Sequence, residues 1–523
     1  MALDLNRRRF VLGAHMTVLT VAASPLLAQS RSVWSAENAF DALLSDTARI
    51  REWAKPGGVC VCWWFIERGT TMDVRIIVET TFENGTTKRH HLGRLSRPFR
   101  RSQPEGFGLL LEDAKTILGQ LQKAILLDQI EEISQASRIC PDCDGVRAIH
   151  DYRSRVLDTL FGRFEVKVPR IRRCACNAKS DVVLGGLLSP LAHFFPDRST
   201  PELRRLQAEL GARHSFREAA RILETFLPCA KQMHTSVRNR LGKVAREICD
   251  SEQNEPLVPS SAEAAPALTV FLDGAHIRCR PEYQKRHLDV VVGKIESHDR
   301  CRRFGLVQQA VLSPASQLRQ DLKALGWDHE QAVTVISDGE PALPNLVRNA
   351  VVGKVRHILD WWHISMRIQH VENAVKGLLQ SRGFSGIPVL FKRPTEKLRW
   401  YLWHGKVLTA TTSLQWLMVD CARLVTDDRV VTEAAQRVQA RCRDLYSYLA
   451  NNMDSLTDYG RRYRTGLPIS SSRAEGCVDD IGNTRMGKRR RMRWSPKGAH
   501  QVAVVRAAVL DGRLIGAYQR TAA

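Results

Sequence analysis

Two carboxylates in this sequence follow apolar runs, where an unpaired charge is costly. Asp273 lies in the run Leu268–Arg278, LTVFLDGAHIR, and Asp338 ends a second run, AVTVISDG. Runs of this kind predict buried strands, and a carboxylate at the exit of one needs a partner or a cation. Glu475 lies far downstream in the segment SSSRAEG. Together the three residues predict an Asp-Asp-Glu site for a divalent metal ion.

The chemistry expected of such a site is phosphodiester cleavage. Cutting DNA requires a water activated near neutral pH and a stabilised leaving 3′ oxygen, and two Mg²⁺ ions about 4 Å apart supply both. Strand joining reuses the site, with a 3′-hydroxyl in place of water. Hard oxygen ligands suit Mg²⁺ or Mn²⁺ rather than zinc. His276 and His363 are candidates for positioning phosphate, although either could equally be a structural histidine.

Glu475 has a structural alternative, because Ser472-x-x-Glu475 matches a helix capping box. If the third carboxylate lies elsewhere, Asp479 and Asp480 are the next candidates. The residues that follow favour the metal site. Residues 478–523 contain ten Lys or Arg and three Asp, a surplus of 10 − 3 = +7, which fits a phosphate backbone passing the site. The basic residues predicted to contact DNA here are Lys488, Arg489, Arg490, Arg491 and Arg493.

An α/β domain is predicted to position these carboxylates. Three strands in succession, followed by alternating helix and strand, match the ribonuclease-H-like order, in which the first and fourth strands are neighbours. Asp273 and Asp338 would then lie side by side. The predicted strands cover 268–272, 287–295, 304–311, 332–337 and 355–359, with helices over 316–325 and 341–349.

The spacing of the carboxylates predicts a helical insertion in this domain. Asp338 follows Asp273 by 338 − 273 = 65 positions, but Glu475 follows Asp338 by 475 − 338 = 137. The second interval is too long for one helix or loop. The predicted boundaries are 267–370 for the first part of the core, 371–465 for the insertion, and 466–523 for the C-terminal helix and basic tail.

Two close cysteine pairs flank a predicted β-hairpin, within 138–180. A knuckle, a hairpin and a second pair resemble a zinc ribbon, in which four thiolates hold a structural Zn²⁺. The second pair has one spacer residue where two to four are usual, and His150 is a possible substitute ligand. Four buried free cysteines are the alternative. The pairs are Cys140 with Cys143 and Cys174 with Cys176.

Residues 198–250 read as helices, with Ser215 and Glu218 forming a capping box at the start of one of them. A break at Pro228 leads into a basic helix. This pattern predicts a helix-turn-helix that enters a major groove, although any helical hairpin has the same pattern. The residues predicted to contact DNA are Arg238 and Arg240.

The remaining segments complete the domain plan of a multidomain α/β protein. Residues 72–137 alternate as a β-hairpin and then adopt helical periodicity. Residues 251–266 are rich in Ser, Glu, Ala and Pro and predict a linker. Residues 1–71 form an uncertain extension: the segment NRRRFVL resembles a twin-arginine export signal, but the cleavage site is weak, and Met72 makes a natural beginning.

Composition points to a nucleic-acid partner. The chain has 523 residues, 44% hydrophobic and 25% charged, with a formal net charge of +23. So large a surplus suggests a polyanion, although a basic surface with no partner is the alternative. The 13 cysteines, many of them isolated in apolar runs, favour reduced thiols in a cytosol. No segment beyond the N-terminus is apolar enough to predict a membrane span.

The segments FLDGAHIR, VISDGEPAL, HILDWWH, SSSRAEG and RMRWSPKGAHQV together resemble the DDE transposases of bacterial insertion sequences, in particular the ISKra-type group. The resemblance runs from about Met72 to Gly512. It implies that Asp273, Asp338 and Glu475 are the catalytic, magnesium-binding acids. Asp360 and His363 match a family motif to which the sequence assigns no role.

The resemblance implies a transposase that binds double-stranded DNA at terminal inverted repeats and at its target, as a homo-oligomer. A cytoplasmic, nucleoid-associated location follows. A DNA-binding regulator with an inactive ribonuclease-H-like domain is one alternative. A structure-specific nuclease that cuts without joining is another, and an exported zinc-binding protein is a third.

Overall fold

The computed structural model describes most of the chain from residue 70 onward. The chain divides into two compact units, Met1–Ala136 and Ser137–Ala523. The predictions for residues 1–71 lie outside the described residues, apart from the first two positions of a strand. The described ranges are 70–82, 85–99, 107–174, 176, 186–195, 197–254, 267–297, 300–311, 313–328, 331–424 and 428–515.

The described part of the first unit is a β-hairpin followed by a helix, as predicted. Strands β1 (Thr70–Thr81) and β2 (Thr87–Phe99) pair antiparallel, and the return strand is longer than predicted. A single long helix, α1 (Leu111–Ala136), follows. Asp128 on this helix is buried and accepts a hydrogen bond of 2.9 Å from the Thr80 hydroxyl. A polar contact of this kind fixes the helix against the hairpin.

The second unit opens with the hairpin predicted between the cysteine pairs. Strands β3 (Ile149–Thr159) and β4 (Gly162–Arg172) pair antiparallel, and the short β5 (Leu187–Leu188) extends the sheet from β4. The turn is tight, with Thr159 opposite Gly162. Gly162 has a φ of 147°, a conformation that favours glycine.

Four helices follow this sheet. Ser215 accepts a hydrogen bond of 3.1 Å from the backbone N–H of Glu218, so the serine half of the predicted capping box is present. The connection after this capped helix is longer than the break predicted at Pro228, because the next helix begins only at His234. The helices are α2 (Pro190–Phe194), α3 (Pro201–Arg213), α4 (Phe216–Phe226) and α5 (His234–Asn254).

A mixed five-stranded sheet forms the centre of the second unit, with the order β10-β9-β6-β7-β8. β6 is antiparallel to β7, and β7 to β8, whereas β9 is parallel to both β6 and β10. The predicted adjacency of the first and fourth strands is therefore confirmed. The third strand ends earlier than predicted, because residues 308–310 form a 3₁₀ turn. The strands are β6 (Leu268–Arg278), β7 (His287–Glu296), β8 (Cys301–Val307), β9 (Val333–Ser337) and β10 (Val355–Leu359).

Both faces of the central sheet are covered, which explains its continuous apolar strands. Helices α6 (Pro314–Lys323) and α7 (Ala342–Ala350) pack on the face that carries Val270 and Leu272. Phe271, the residue between these two, belongs to the core on the opposite face, as strand alternation requires.

A helical region covers that opposite face. It begins directly after β10, ten residues before the insertion predicted at 371, and its core includes Phe271, Ile336 and Ile358 of the sheet. Asp360 caps its first helix by accepting a hydrogen bond of 2.7 Å from the N–H of Trp362. The helices are α8 (Trp361–Leu379), α9 (Pro388–Trp403), α10 (Val407–Arg423), α11 (Arg429–Asn451) and α12 (Tyr459–Arg464).

The C-terminal segment joins the central sheet to the helices at 201–254. Buried Arg485 and Arg506 donate hydrogen bonds of 3.1 Å to the carbonyls of Gly211 and Ala212, at the C-terminus of α3, where the helix dipole favours cations. Of the predicted linker 251–266, only the end of α5 lies within the described residues. The elements are α13 (Ser472–Cys477), a π-helical turn (Val478–Asn483), α14 (Thr484–Met486), a 3₁₀ turn (Lys488–Arg490) and α15 (Pro496–Leu510).

Within the described ranges, no helix combines the length and apolar composition needed to cross a membrane.

Candidate active site

Three aspartates lie level with one another on neighbouring strands of the central sheet. Asp273 lies within β6, which continues to Arg278 and is longer than the predicted 268–272, whereas Asp338 and Asp360 directly follow β9 and β10. β6 pairs with β9 in the register Phe271 to Ile336, and two further residues bring Asp273 level with Asp338. β9 pairs with β10 in the register Ser337 to Leu359, so the next residue, Asp360, is also level with Asp338. Neighbouring strands lie about 4.8 Å apart. The sheet therefore brings these carboxylates to one edge.

The turn after β9 is held by contacts from two sides. Asp338 accepts a hydrogen bond of 3.1 Å from the N–H of Glu340, and its carbonyl accepts one of 2.7 Å from the hydroxyl of Tyr448 on α11. Gly339 has a φ of 91°, and a Cβ there would lie 2.7 Å from the Leu359 side chain. Glycine after the aspartate is therefore a steric requirement of this turn.

Glu475 reaches the same region on α13, which packs against β6 and β7. Ala474, next to it, is fully buried in the core that contains Phe271. The Arg473 guanidinium lies 5.2 Å from the Phe271 ring centroid and forms an ion pair with Glu296 at the end of β7. These contacts hold the helix in place while Glu475 itself remains exposed.

The capping-box alternative for Glu475 is not observed. The N-cap of α13 is Ser471, one residue before the predicted Ser472. The Ser471 hydroxyl makes no capping hydrogen bond and donates instead to Asp360. Within the described part of the chain, the Glu475 carboxylate takes part in no hydrogen bond or ion pair. Helix capping therefore gives no account of this glutamate.

Electrostatic interactions link the three predicted acids. The pKa of Asp273 is raised, mainly because burial disfavours its charge, and also because of the nearby negative charges of Asp338 and Glu475. The N–H of Gly274, 2.7 Å from the carboxylate, and the His363 ring act in the opposite direction. No Lys or Arg forms an ion pair with these three acids in the ranges that the structure covers. Carboxylates gathered without a neutralising cation fit a metal site.

Asp273, Asp338 and Glu475 do not form a group that closes around a single ion within the described residues. Their ligand oxygens do not all lie within 4.8 Å of one another, since among the described residues only a cysteine group meets that limit. Two Mg²⁺ ions about 4 Å apart, each about 2.1 Å from its ligands, spread a ligand set over roughly 8 Å. The oxygen-only donor set also suits Mg²⁺.

Glu340, in the turn after β9, is a further carboxylate that the sequence analysis did not name. Its Oε2 lies 3.8 Å from the position that a Cβ on Gly274 would occupy, next to Asp273. The available signal was its position two residues after Asp338 in the turn sequence SDGE.

Asp360 and His363 form a buried network at the edge of the site. Burial by itself raises the pKa of Asp360, but hydrogen bonds from His363, Ser471 and the N–H of Trp362 outweigh it and hold the pKa below its usual value. The His363 Nδ1 lies 2.9 Å from Asp360 Oδ2. This hydrogen bond raises the pKa of His363, and the charges of Asp338 and Asp273 add to the effect.

His276 was predicted to position phosphate, and His150 was a possible zinc ligand. Each of these histidines lies beside an aspartate. His276 is exposed on β6, with Nδ1 3.0 Å from Asp289 Oδ1 on β7. His150 lies on β3, with Nδ1 3.6 Å from Asp151 Oδ1, and is not a member of the cysteine group.

The predicted cysteine group is present. The Sγ atoms of Cys140 and Cys176 are 3.5 Å apart, those of Cys143 and Cys174 are 3.4 Å apart, and all four lie within 4.8 Å of one another. A tetrahedral site with Zn–S bonds near 2.3 Å places its sulfurs about 3.8 Å apart. The group is therefore compatible with zinc, even with one spacer residue in the second pair.

Contacts divide the four thiols: the pKa values of Cys140 and Cys174 are lowered, chiefly by backbone N–H groups, whereas that of Cys176 is raised by hydrogen bonds with the other thiols, and that of Cys143 is also raised. Arg147 Nη2 donates to Cys140 Sγ at 3.3 Å. The pKa of Cys140 is lowered to about 6, chiefly by the backbone N–H of Asp142, with Arg147 and Cys176 contributing. Thiolates are the form that binds metal. The buried-free-cysteine alternative fits poorly, because Cys143 and Cys176 are exposed.

The two basic residues predicted on α5 differ in their surroundings. Arg238 is exposed and, within the described part of the chain, its guanidinium donates only to the adjacent Asn239 at 3.4 Å. Arg240 is largely buried and donates to Gln207 at 2.8 Å and to Asp158 at 3.4 Å. The Arg240 guanidinium is thus engaged within the chain, and Arg238 is the better placed for an external phosphate.

The predicted basic run near the C-terminus is exposed at four positions. None of these four forms an ion pair with an acid of the described ranges, although Arg490 Nε donates to the Thr484 carbonyl at 2.9 Å. The side chain of Lys488 lies outside the described residues. The four are Arg489, Arg490, Arg491 and Arg493.

Comparisons with known proteins assign no function to this site. No protein-family model matches the chain. A search of curated proteins also gives no match.

Proposed function

We propose that this protein is a DDE-type transposase that binds the ends of its insertion sequence and carries out metal-dependent cleavage and strand transfer of DNA. The observation that carries the proposal is the electrostatic interaction between the carboxylates of Asp273, Asp338 and Glu475. These acids come from three separate elements, and burial, together with the charges of the other two acids, raises the pKa of Asp273. A stability role would pair each acid with a cation, and no such pair exists among the described residues.

Asp273, Asp338 and Glu475 are the residues that would hold Mg²⁺ or Mn²⁺. When bound, the ions supply positive charge that activates a water and stabilises the departing 3′ oxygen. The water oxygen attacks phosphorus, the bond from phosphorus to the 3′ oxygen breaks, and a 3′-hydroxyl and a 5′-phosphate result. In joining, that 3′-hydroxyl attacks a target phosphodiester and displaces a 3′ oxygen in turn.

His363 and Asp360 contribute position rather than metal ligation in this proposal. Asp360 is shielded and bound by three donors, so its lone pairs are largely engaged. Hydrogen bonding to Asp360 raises the pKa of His363, which favours a positive ring beside the acids and so limits their mutual repulsion. Ser471 ties the start of the Glu475 helix to Asp360.

The finer fold assignments belong to the same proposal. The sheet order, with antiparallel β6–β8 and parallel β9 and β10, supports a ribonuclease-H-like core interrupted by helices. The helices at 201–254 would form a helix-turn-helix, with Arg238 toward DNA. The four cysteines would hold a structural Zn²⁺. The partners would be double-stranded DNA at the terminal inverted repeats and at the target, with the protein acting as a homo-oligomer in the nucleoid.

The test is a cleavage assay on a plasmid that carries the DNA flanking the gene on both sides. Full-length protein with Mg²⁺ should cut at the boundaries of terminal inverted repeats and join the 3′ ends to a second DNA. Asp273→Asn protein should bind the same DNA without cutting it. Binding without cutting by the wild type would favour a regulator, and cutting without joining or end preference would favour a structure-specific nuclease. Either result would overturn the proposal.

A further inference from the structure

The hairpin that joins β6 to β7 carries exposed cations beyond the carboxylates. Arg278 and Arg280 lie at the end of β6, and Lys285 and Arg286 precede β7. All four are exposed, and none is ion-paired within the described part of the chain. Because a strand rises about 3.3 Å per residue, the five residues from Asp273 to Arg278 span about 17 Å.

The basic run near the C-terminus is attached to this hairpin. Trp494 and Cys279 form a parallel β-bridge, in which the Trp494 N–H donates to the Arg278 carbonyl at 2.9 Å and the Arg280 N–H donates to the Trp494 carbonyl at 3.0 Å. Cys279 and Trp494 are both buried. Their neighbours Arg278 and Arg493 therefore lie side by side on the opposite, exposed face.

Contacts in the interior of the second unit hold Trp494, and with it the basic run, in place. The Arg485 guanidinium lies 4.9 Å from the Trp494 ring centroid and 5.0 Å from that of Phe216. Arg485 also donates to the Gly211 carbonyl at 3.1 Å. These contacts tie the run to the packed core of the second unit, so the charges after residue 488 belong to a fixed surface.

We propose that the hairpin tip and the basic run form one surface, the basic ledge, that binds the phosphate backbone of duplex DNA on its way to the acid cluster. The inference deepens the proposed function and rests on it. Its segments, 278–286 and 489–493, contain eight Lys or Arg and one acid, Glu282, a surplus of 8 − 1 = +7. At 3.4 Å per base pair, 17 Å corresponds to about five base pairs between the ledge and the reacting phosphate.

Some exposed arginines elsewhere in the second unit are paired with acids of their own helix. On α11, Arg429 pairs with Glu433 at 2.9 Å and Arg441 with Asp444 at 3.3 Å. The ledge has no such pairing, which leaves its guanidinium groups available for an external polyanion.

The salt dependence of binding tests the ledge. Full-length protein is titrated with a random-sequence duplex of about 30 base pairs between 50 and 200 mM salt. Replacement of the four hairpin cations by glutamine should reduce the slope of log affinity against log salt by up to about 3.6, at roughly 0.9 for each phosphate contact. Across that fourfold range the wild type should lose about 150-fold more affinity than the variant. The replaced residues are Arg278, Arg280, Lys285 and Arg286.

A matched control removes the same formal charge at exposed arginines that already have acid partners. Its slope should stay close to that of the wild type, and so should that of a variant with lysine at the three hairpin arginines. Equal melting temperatures show that every variant is folded. The control positions are Arg163, Arg423, Arg429 and Arg441.

An unchanged slope in the hairpin variant, or an equal loss in the control, would overturn the ledge. A loss confined to single-stranded RNA would overturn it as well. Failure of the ledge is distinguishable from failure of the proposed function. Asp273→Asn protein should keep the wild-type slope, and a wild type that never cuts but shows the slope change would retain the ledge while losing the transposase assignment.

Discussion

The hydroxyl of Ser471 donates a hydrogen bond to the buried carboxylate of Asp360, across 111 positions of sequence. Asp360 directly follows strand β10 and caps α8, and Ser471 directly precedes the helix that carries Glu475. The N–H of Trp361 reinforces the link by donating to the Ile469 carbonyl at 3.0 Å. The last acid of the candidate site is thus positioned by the third aspartate of the sheet edge.

This hydrogen bond predicts that replacing Ser471 reduces cleavage activity by more than the loss of stability explains. Ser471→Ala removes one hydrogen bond to a charged acceptor, which is worth about 1.5–3 kcal/mol, while Asp360 keeps its other donors. We expect a modest drop in melting temperature, unchanged DNA binding, and a loss of cleavage larger than the drop in stability explains. Ser471→Thr keeps the hydroxyl and should restore cleavage. Full activity in Ser471→Ala would show that the link does not position Glu475.

Much of the site follows from local sequence pattern. Apolar runs with an acid at the end predict the strands and place Asp273 and Asp338, because burial and strand geometry are local properties. The glycine of the SDGE turn is explained by the same local reasoning, since the turn requires a positive φ.

The rest depends on contacts between distant residues. The Ser472-x-x-Glu475 pattern predicted a local capping box, but Asp360 provides an acceptor for Ser471 that only the folded chain supplies. Arg240 looked like a DNA contact on a basic helix, yet its partner Asp158 lies 82 positions away. Local pattern carries no information about such partners.

The cysteine group predicts about one zinc ion per chain. Cys143→Ser removes one of four thiolate ligands and should lower the zinc content and the melting temperature together. Cys301→Ser is the matched control, because Cys301 is also exposed but lies on β8, outside the group. Metal analysis of the purified proteins provides the measurement. Zinc-free wild-type protein that is folded and binds DNA would remove the structural zinc from the proposal.

Two histidines near β10 predict opposite effects of pH on stability. Hydrogen bonding to Asp360 raises the pKa of His363, so its contribution is complete below the unfolded pKa near 6.5 and is lost as pH rises through the folded pKa. Burial lowers the pKa of His357 to about 4, so its contribution is present above pH 6.5 and is lost as pH falls toward 4.

Melting temperatures between pH 5 and pH 8.5 separate the two histidines. Relative to the wild type, His363→Gln should lose stability mainly at the acid end and His357→Gln mainly at the alkaline end. His357 lies between the hydroxyls of Ser337, at 2.9 Å, and Ser455, at 2.7 Å, so glutamine retains some of its hydrogen bonding. Parallel pH profiles for both variants would contradict the assigned protonation states.

The last prediction concerns the acids themselves, through Asp273→Asn, Asp338→Asn and Glu475→Gln. Each should abolish Mg²⁺-dependent cleavage and strand transfer while leaving DNA binding intact. The pKa of Asp273 is raised in the folded state, so its charge costs stability at neutral pH, and Asp273→Asn should leave the melting temperature equal or higher. Asp511→Asn provides the matched control.

Asp511 pairs with Arg303 at 2.8 Å and accepts a second hydrogen bond from the Arg303 N–H at 2.8 Å. Losing the Asp511 carboxylate should lower the free energy of unfolding by about 1–3 kcal/mol and therefore also lower the melting temperature, whereas cleavage should be unchanged. Asp273→Asn should therefore abolish cleavage without lowering the melting temperature, whereas Asp511→Asn should lower the melting temperature without affecting cleavage. Glu475→Gln is decisive for the third ligand, because glutamine retains the shape and loses the charge. If it still cleaves in Mg²⁺, the third ligand lies elsewhere, and Asp479 and Asp480 are the next candidates.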